Sequence, residues 1–155
     1  MTIRVQREDF DVGLELQALR HNESNVGAIA SFIGVVREFN VDSSIQTMEL
    51  EYYPGMTEKA LAAITFEARD RWNLIDVLVI HRYGVLKPVD QIVLVAVSSA
   101  HRGDAFSACE FIMDFLKTQA PFWKKESTDS GSHWVEAKDS DTAAAERWSK
   151  ISPPL

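Results

Sequence analysis

Ile75-Asp76-Val77-Leu78-Val79-Ile80-His81-Arg82-Tyr83-Gly84-Val85-Leu86-Lys87-Pro88-Val89-Asp90-Gln91-Ile92-Val93-Leu94-Val95-Ala96-Val97-Ser98-Ser99 contains two runs rich in Val and Ile, at 75–83 and 91–99, joined by Val85 to Asp90. Two such runs across a short Pro-containing connection read as a strand, loop, strand hairpin. Downstream, Ala100-His101-Arg102-Gly103-Asp104 is a strand-to-helix junction. The helix it opens, over about 104–119, keeps Ser107, Glu110, Asp114 and Lys117 on a polar stripe and turns Ala108, Cys109, Ile112, Phe115 and Leu116 inward. Ala120-Pro121 ends it. Phe122 to Ala137, with Asp129-Ser130-Gly131 at its middle, reads as a second hairpin, and Asp141 to Lys150 as a short last helix.

Upstream of the first hairpin, Ile3 and Val5 mark a short strand, and Val12, Leu16 and Leu19 recur at helical spacing. Val26 to Val36 is apolar on both faces, as a central strand covered on both sides would be, with Arg37 where it emerges. Residues 45–53 alternate Met48, Leu50 and Tyr52 against Thr47, Glu49 and Glu51. Pro54-Gly55 turns the chain, and Thr57 is placed to cap a helix with Leu61, Ile64, Ala68 and Trp72 on one stripe. Mixed strands and helices with neighbouring hairpins predict an α+β fold with a mostly antiparallel sheet, rather than a doubly wound parallel one. With no repeat or linker inside it, the chain is expected to form one domain over 1–150, followed by a flexible tail over 151–155 that contains Ser152-Pro153-Pro154.

Sixteen Lys and Arg against 23 Asp and Glu give a net charge of -7, which argues against nucleic acid or an anionic membrane as a partner. The longest uncharged apolar stretch, Val26 to Val36, is 11 residues, against the roughly 20 a membrane-crossing helix needs. Residues 1–20 hold no secretory signal core, so the expected location is the cytoplasm. Cys109 is the only cysteine, which excludes an internal disulfide and reads as a small core residue. His21, His81, His101 and His133 have no metal-ligand spacing, and GxGxxG, P-loop and GxSxG patterns are absent. Neither a metal nor an organic cofactor is expected.

The candidates for chemistry are cations. His101 and Arg102 stand at a helix start, where unpaired backbone N–H groups and the dipole favour an anion, and Arg offers a planar fork to phosphate. Taken alone, the pair reads more readily as an exposed Arg and a helix-capping His. Lys117 ends the same helix, and the bend at Pro121 could fold Lys124 and Lys125 back toward it. Three lysines held together would bind an anion and favour a neutral, nucleophilic amine, unless they form only a solvated basic face. Glu126, next in line, could pair with a lysine or accept a proton.

Five blocks in order, Phe32-Ile33-Gly34-Val35-Val36-Arg37, Tyr53-Pro54-Gly55-Met56-Thr57-Glu58-Lys59-Ala60, His81-Arg82-Tyr83-Gly84, Ser99-Ala100-His101-Arg102 and Phe115 to Glu126, make the chain resemble the large subunit of molybdopterin synthase along nearly its whole length. The resemblance implies an α/β hammerhead fold with an additional β-hairpin subdomain. It also implies a homodimer that binds one small ubiquitin-like sulfur-carrier subunit per copy, making a heterotetramer. The implied reaction converts a cyclic pyranopterin monophosphate to molybdopterin, with two dithiolene sulfurs drawn from the small subunit's C-terminal Gly-Gly thiocarboxylate, in molybdenum cofactor biosynthesis. By position, Val35, Val36, Arg37, His101, Arg102, Lys117, Lys124, Lys125 and Glu126 match the family's substrate pocket, and Lys117 and Lys124 its catalytic lysines. No catalytic cysteine is implied, because the sulfur arrives already activated on the partner. Two positions depart from the family pattern: Val89, where glycine is frequent, and Gln119, where arginine is common. Pro88-Val89-Asp90 is expected to turn without a positive φ. The alternatives are a non-catalytic subunit that binds a phosphorylated metabolite or acts as an adaptor, and a phosphohydrolase built on His101. The latter lacks a companion carboxylate or metal ligand.

Overall fold

In the computed structural model, which describes residues 1–40, 43–128, 131–135 and 139–150, fourteen short elements arrange around two sheets. Their order is β1 (Thr2–Gln6), α1 (Val12–Arg20), β2 (Ala28–Val35), β3 (Phe39–Asn40), β4 (Ser43–Tyr52), α2 (Met56–Arg71), β5 (Asp76–Arg82), β6 (Gly84–Leu86), β7 (Gln91–Ser99), α3 (Arg102–Thr118), β8 (Phe122–Thr128), β9 (Gly131–Val135) and α4 (Asp139–Glu146), then a 3-10 turn (Arg147–Lys150). The side chains of 39–40, 43–46, 126–128, 131–135, 139 and 150 lie outside the description.

The first sheet has the order β1-β5-β7-β2, with β1 parallel to β5 and the other pairs antiparallel. The 75–99 hairpin is there, in the register Asp76↔Ser98 to His81↔Val93. Period-two alternation splits its side chains between two cores. Val77, Val79, Val93, Val95 and Val97 pack beneath α2 and α3 with Leu61, Ile64, Ala68, Ala108, Ile112 and Leu116. Leu78, Ile80, Leu94 and Ala96 meet Phe10 and Leu19 beneath α1. Asp11 caps α1 by accepting from Leu14 N at 3.1 Å. The strands covered on both faces are therefore β5 and β7.

β2 corrects the expectation of a central strand at 26–36. It is an edge strand, with Phe32 40% and Val35 45% exposed. Its apolar composition does not report burial on both sides in one chain.

In the second sheet β4 pairs with β3, β6 and β8, and β8 with β9. The hairpin predicted at Phe122 to Ala137 is β8–β9, although Asp129, Ser130, Glu136 and Ala137 lie outside the described residues. The connection 85–90, expected as loop, contributes β6, whose Leu86 joins Val36, Met48 and Leu50 in a third small core. These mixed layers make the fold α+β with mostly antiparallel sheets.

Thr57 does not cap α2. Gly55, at φ +84, stands at the cap, and its N–H is taken by the Glu58 carboxylate at 2.7 Å. Thr57 is fully buried instead. Its hydroxyl accepts from Tyr53 N at 3.0 Å and donates to the Pro121 carbonyl at 2.9 Å, tying the start of α2 to the corner between α3 and β8. The C-terminal segment is fastened to α3 one turn before Lys117, because Trp148 Nε1 donates to Asp114 at 2.6 Å and Arg147 Nη2 to the same carboxylate at 2.9 Å. The predicted tail, 151–155, lies outside the described residues.

Candidate active site

The sequence candidates fall into two groups, one at each end of α3. His101 is the residue before its first turn, and its side chain makes no capping bond; Arg102 is the first helical residue, and both are exposed. Lys117 lies in the last turn. Fifteen residues at the helical rise separate Arg102 from Lys117 by about 22 Å. One phosphate cannot sit on both within a single chain.

The other candidates lie at the end of β2 and on β8. Arg37 follows the end of β2, and Val36 before it is buried against Leu50, whose cross-strand neighbour on β8 is Lys124. The turn at 87–90 holds this end of β2 in place: Val89 N donates to Val36 O at 2.9 Å and Val36 N to Asp90 O at 3.0 Å. Val89 adopts φ +79, contrary to the expectation that this turn avoids the left-handed region. The two bonds to Val36 and the Asp90 carboxylate on Lys87 N fix the turn so tightly that a β-branched residue is carried into a conformation glycine prefers.

The lysines are not one cluster. Directly opposed residues share a face, so Phe122 (opposite Tyr52) and Lys124 (opposite Leu50) lie on the side of the small core, while Lys125, opposite Glu49, projects from the other side. Glu126 follows on the Lys124 side by backbone register, opposite Met48, and its side chain lies outside the described ones.

His81 was not singled out by its sequence, yet it stands at the centre of this end. It is only 8% exposed, its ring stacks on Phe122 with centroids 3.8 Å apart and planes 19° apart, and its Nδ1 lies 2.8 Å from the Arg82 carbonyl. Burial pushes the imidazole down to about 4; the carbonyl bond works against that and the Lys117 charge adds to it. The ring is therefore neutral near pH 7, and Lys117 lies close enough to bear on it. The available signal was the alternation Val77, Val79, His81, which turns the histidine inward. Cys109 is buried in the core with its thiol pushed up to about 11, a packing residue as expected. Among the described residues no group of three His, Cys, Asp or Glu is arranged to hold a metal ion, and no helix is long and apolar enough to cross a membrane.

A family model described as "MoaE protein" matches residues 5–119. The molybdopterin synthase catalytic subunit of Ralstonia nicotianae is 61% identical over 151 residues, covering 97% of this chain and 86% of that protein. Among solved structures, a molybdopterin biosynthesis MoaE protein from Burkholderia ambifaria superposes with a TM-score of 0.83 at 54% identity, covering 97% of this chain and 99% of the other. The molybdopterin synthase of Staphylococcus aureus gives 0.78 at 34% identity, covering 86% and 96%.

Proposed function

The chain belongs to the MoaE protein family, and from that membership we propose that it is the catalytic subunit of a molybdopterin synthase, a sulfurtransferase of molybdenum cofactor biosynthesis. Its substrate is the cyclic pyranopterin monophosphate, and the two dithiolene sulfurs come from the thiocarboxylated Gly-Gly tail of a small ubiquitin-like subunit. What supports this reading is a chain 61% identical to a catalytic subunit over 97% of its length, in which Lys124 stands across from Leu50 in the small core that also holds Val36, the residue before Arg37.

Each residue has a task that its chemistry permits. The thiocarboxylate brings activated sulfur, so the protein has to bind, orient and move protons. Lys117 and Lys124 are the groups able to act as amines at the reacting carbons. Arg37 neutralises anionic charge beside them, Val35 and Val36 form the wall that carries it, and Glu126 is the acceptor within the same strand. Lys125, across from Glu49, adds charge at the rim.

His101 and Arg102, about 22 Å from Lys117 along α3, serve the pocket of the second copy in a homodimer, holding the pterin phosphate there. Each dimer then binds two small subunits, one tail per pocket. The stretch 1–150 works as one domain in the cytoplasm, with 151–155 outside it.

The test is turnover. The dimer incubated with the cyclic pterin phosphate and thiocarboxylated small subunit should release dithiolene product. Small subunit lacking its terminal Gly-Gly should bind weakly and support none. Binding of both ligands without sulfur incorporation would mean an adaptor, and phosphate release without it a hydrolase; either overturns the proposal.

A further inference from the structure

Two sequence blocks that mark the family, Tyr53 to Ala60 and His81 to Gly84, hold none of the residues assigned to the pocket. Both reach the same place, the corner between α3 and β8. That corner lies in the chain between Lys117, in the last turn of α3, and Lys124, on β8. Its backbone closes on itself, with Gln119 N donating to Phe115 O at 2.8 Å and Phe122 N to Ala120 O at 2.8 Å. Those bonds are local and do not hold the corner against the rest of the fold.

Thr57 supplies that hold. It is fully buried near the start of α2, where its N–H donates to Tyr53 O at 2.9 Å and its hydroxyl accepts from Tyr53 N at 3.0 Å. The hydroxyl has one proton, and it goes to Pro121 O at 2.9 Å. Tyr53 follows directly on Tyr52, which faces Phe122 across the β4–β8 ladder. The residue after Pro121 is therefore gripped twice more, by that pairing and by the His81 ring stacked on Phe122 with centroids 3.8 Å apart. A valine has the shape of threonine and would fill the space without desolvating a hydroxyl, but it would take from Tyr53 N and Pro121 O the partner they share.

We infer that Thr57 is a positioning residue for sulfur transfer: its hydroxyl, held by Tyr53 N and bonded to Pro121 O, fixes the corner that sets Lys117 and Lys124 relative to each other. This rests on the roles of the two lysines given under the proposed function, and goes beyond them by naming the group that fixes the chain between them.

The assembled two-subunit enzyme tests it in three forms: the parent, Thr57→Val and Thr57→Ser. Both substitutions disturb a fully buried side chain and should lower the melting temperature, the valine by removing the hydroxyl and the serine by removing a methyl group. Only the valine should lower kcat, about tenfold or more through misaligned groups, with KM for the pterin within about threefold. Thr57→Ser keeps the clamp and should stay within about threefold of the parent kcat. Unchanged kcat in the valine variant, or a fall in the serine variant as deep as the valine's, overturns the inference. A readout without turnover comes from lysines carrying 13C-methyl groups, each signal assigned by its Lys→Arg variant. In Thr57→Val the signals of Lys117 and Lys124 should shift while that of Lys87 stays, and in Thr57→Ser all three should stay. Lysine signals at their parent positions in Thr57→Val overturn it as well. If the parent enzyme makes no dithiolene product while those signals still move with the hydroxyl, the functional reading has failed and the clamp between the lysines has not.

Discussion

The two ends of α3 both carry cations, in unlike surroundings. At the first, His101 and Arg102 are exposed, and His101 makes no side-chain cap. At the other, Lys117 is exposed too, but its charge bears on a neutral buried imidazole that stacks on Phe122, next to the corner pinned by Thr57 to Pro121. An exposed guanidinium contributes little until a ligand arrives, whereas a lysine whose charge bears on a buried ring stands against surroundings that are already built. On the proposed function, the first end serves binding and the second chemistry.

The largest effect that would break this contrast is at Lys117. Lys117→Arg keeps the charge and nearly the same reach, but guanidinium does not give up its proton in a protein. We expect it to lose about a thousandfold in turnover, the middle of the range for losing a proton-transfer group, and so to match Lys117→Ala. Folding and small-subunit affinity should hold in both variants. An Arg enzyme near the parent rate would make this end electrostatic too and move the chemistry to Lys124.

The environment of Lys117 should also be visible in stability. The imidazole of His81 lies at about 4 in the fold against an ordinary 6.5, so the fold favours the neutral form. Its contribution is fully present above about pH 6.5 and is lost as pH falls toward 4, when the unfolded chain takes up a proton that the folded chain resists. The size is on the order of 3 kcal/mol. As pH drops through that window the parent should lose about 3 kcal/mol more stability than His81→Phe, whose ring does not titrate. Parallel curves would mean that the buried ring does not resist its proton.

At the Arg102 end the expected loss is smaller and lies in binding. Arg102→Ala should weaken pterin phosphate affinity about tenfold, the worth of one charge-assisted contact, with little change in melting temperature. Mixing it with Lys117→Ala sharpens the comparison. If the ends of α3 serve different pockets, half the random dimers are mixed, each with one intact site, and activity at pterin well below KM returns to about a quarter of the parent's. No recovery on mixing would confine both ends to one pocket.

How much of this was legible in the sequence differs between the ends. Periodicity gave the 75–99 hairpin, the buried stripes of α2 and α3 and the second hairpin, because each pattern is enforced by a core that touches it directly. At the junction alone, His101 and Arg102 could be read as an anion site or as an exposed Arg and a helix-capping His, and it was the family pattern that favoured the first. The separation from Lys117 was also implicit in the helix length, but the family pattern draws the two together without saying from which copy. The Lys117 end was harder. Lys124 and Lys125 are adjacent in sequence and oppose each other across a strand, which only register reveals. β2 read as central because composition does not distinguish an edge strand with an exposed apolar face from one that is covered. Thr57 looked like a cap because a hydroxyl at a helix start usually is one; here it reaches 64 residues along the chain instead.

The smallest effect concerns the turn behind Arg37. Val89 holds φ +79 with 81% of its surface exposed, so its side chain buries little in return for a conformation that a β-branched residue resists. The left-handed region costs an L-residue roughly 1–2 kcal/mol. Val89→Gly removes that cost but gives the unfolded chain more freedom, which takes back about 0.4–1 kcal/mol. The net should be a gain of up to about 1 kcal/mol, or a melting temperature higher by about 2–4 °C in a domain of this size. Val89→Ala keeps a Cβ and should recover less. The bonds from Val89 N to Val36 O and from Val36 N to Asp90 O are backbone bonds that glycine retains, so Arg37 should stay where it is and turnover should not change. A lower melting temperature in Val89→Gly would show the valine side chain to be stabilising. A higher one with altered turnover would show that the strain itself sets Arg37, and would make the turn part of the chemical end of the molecule.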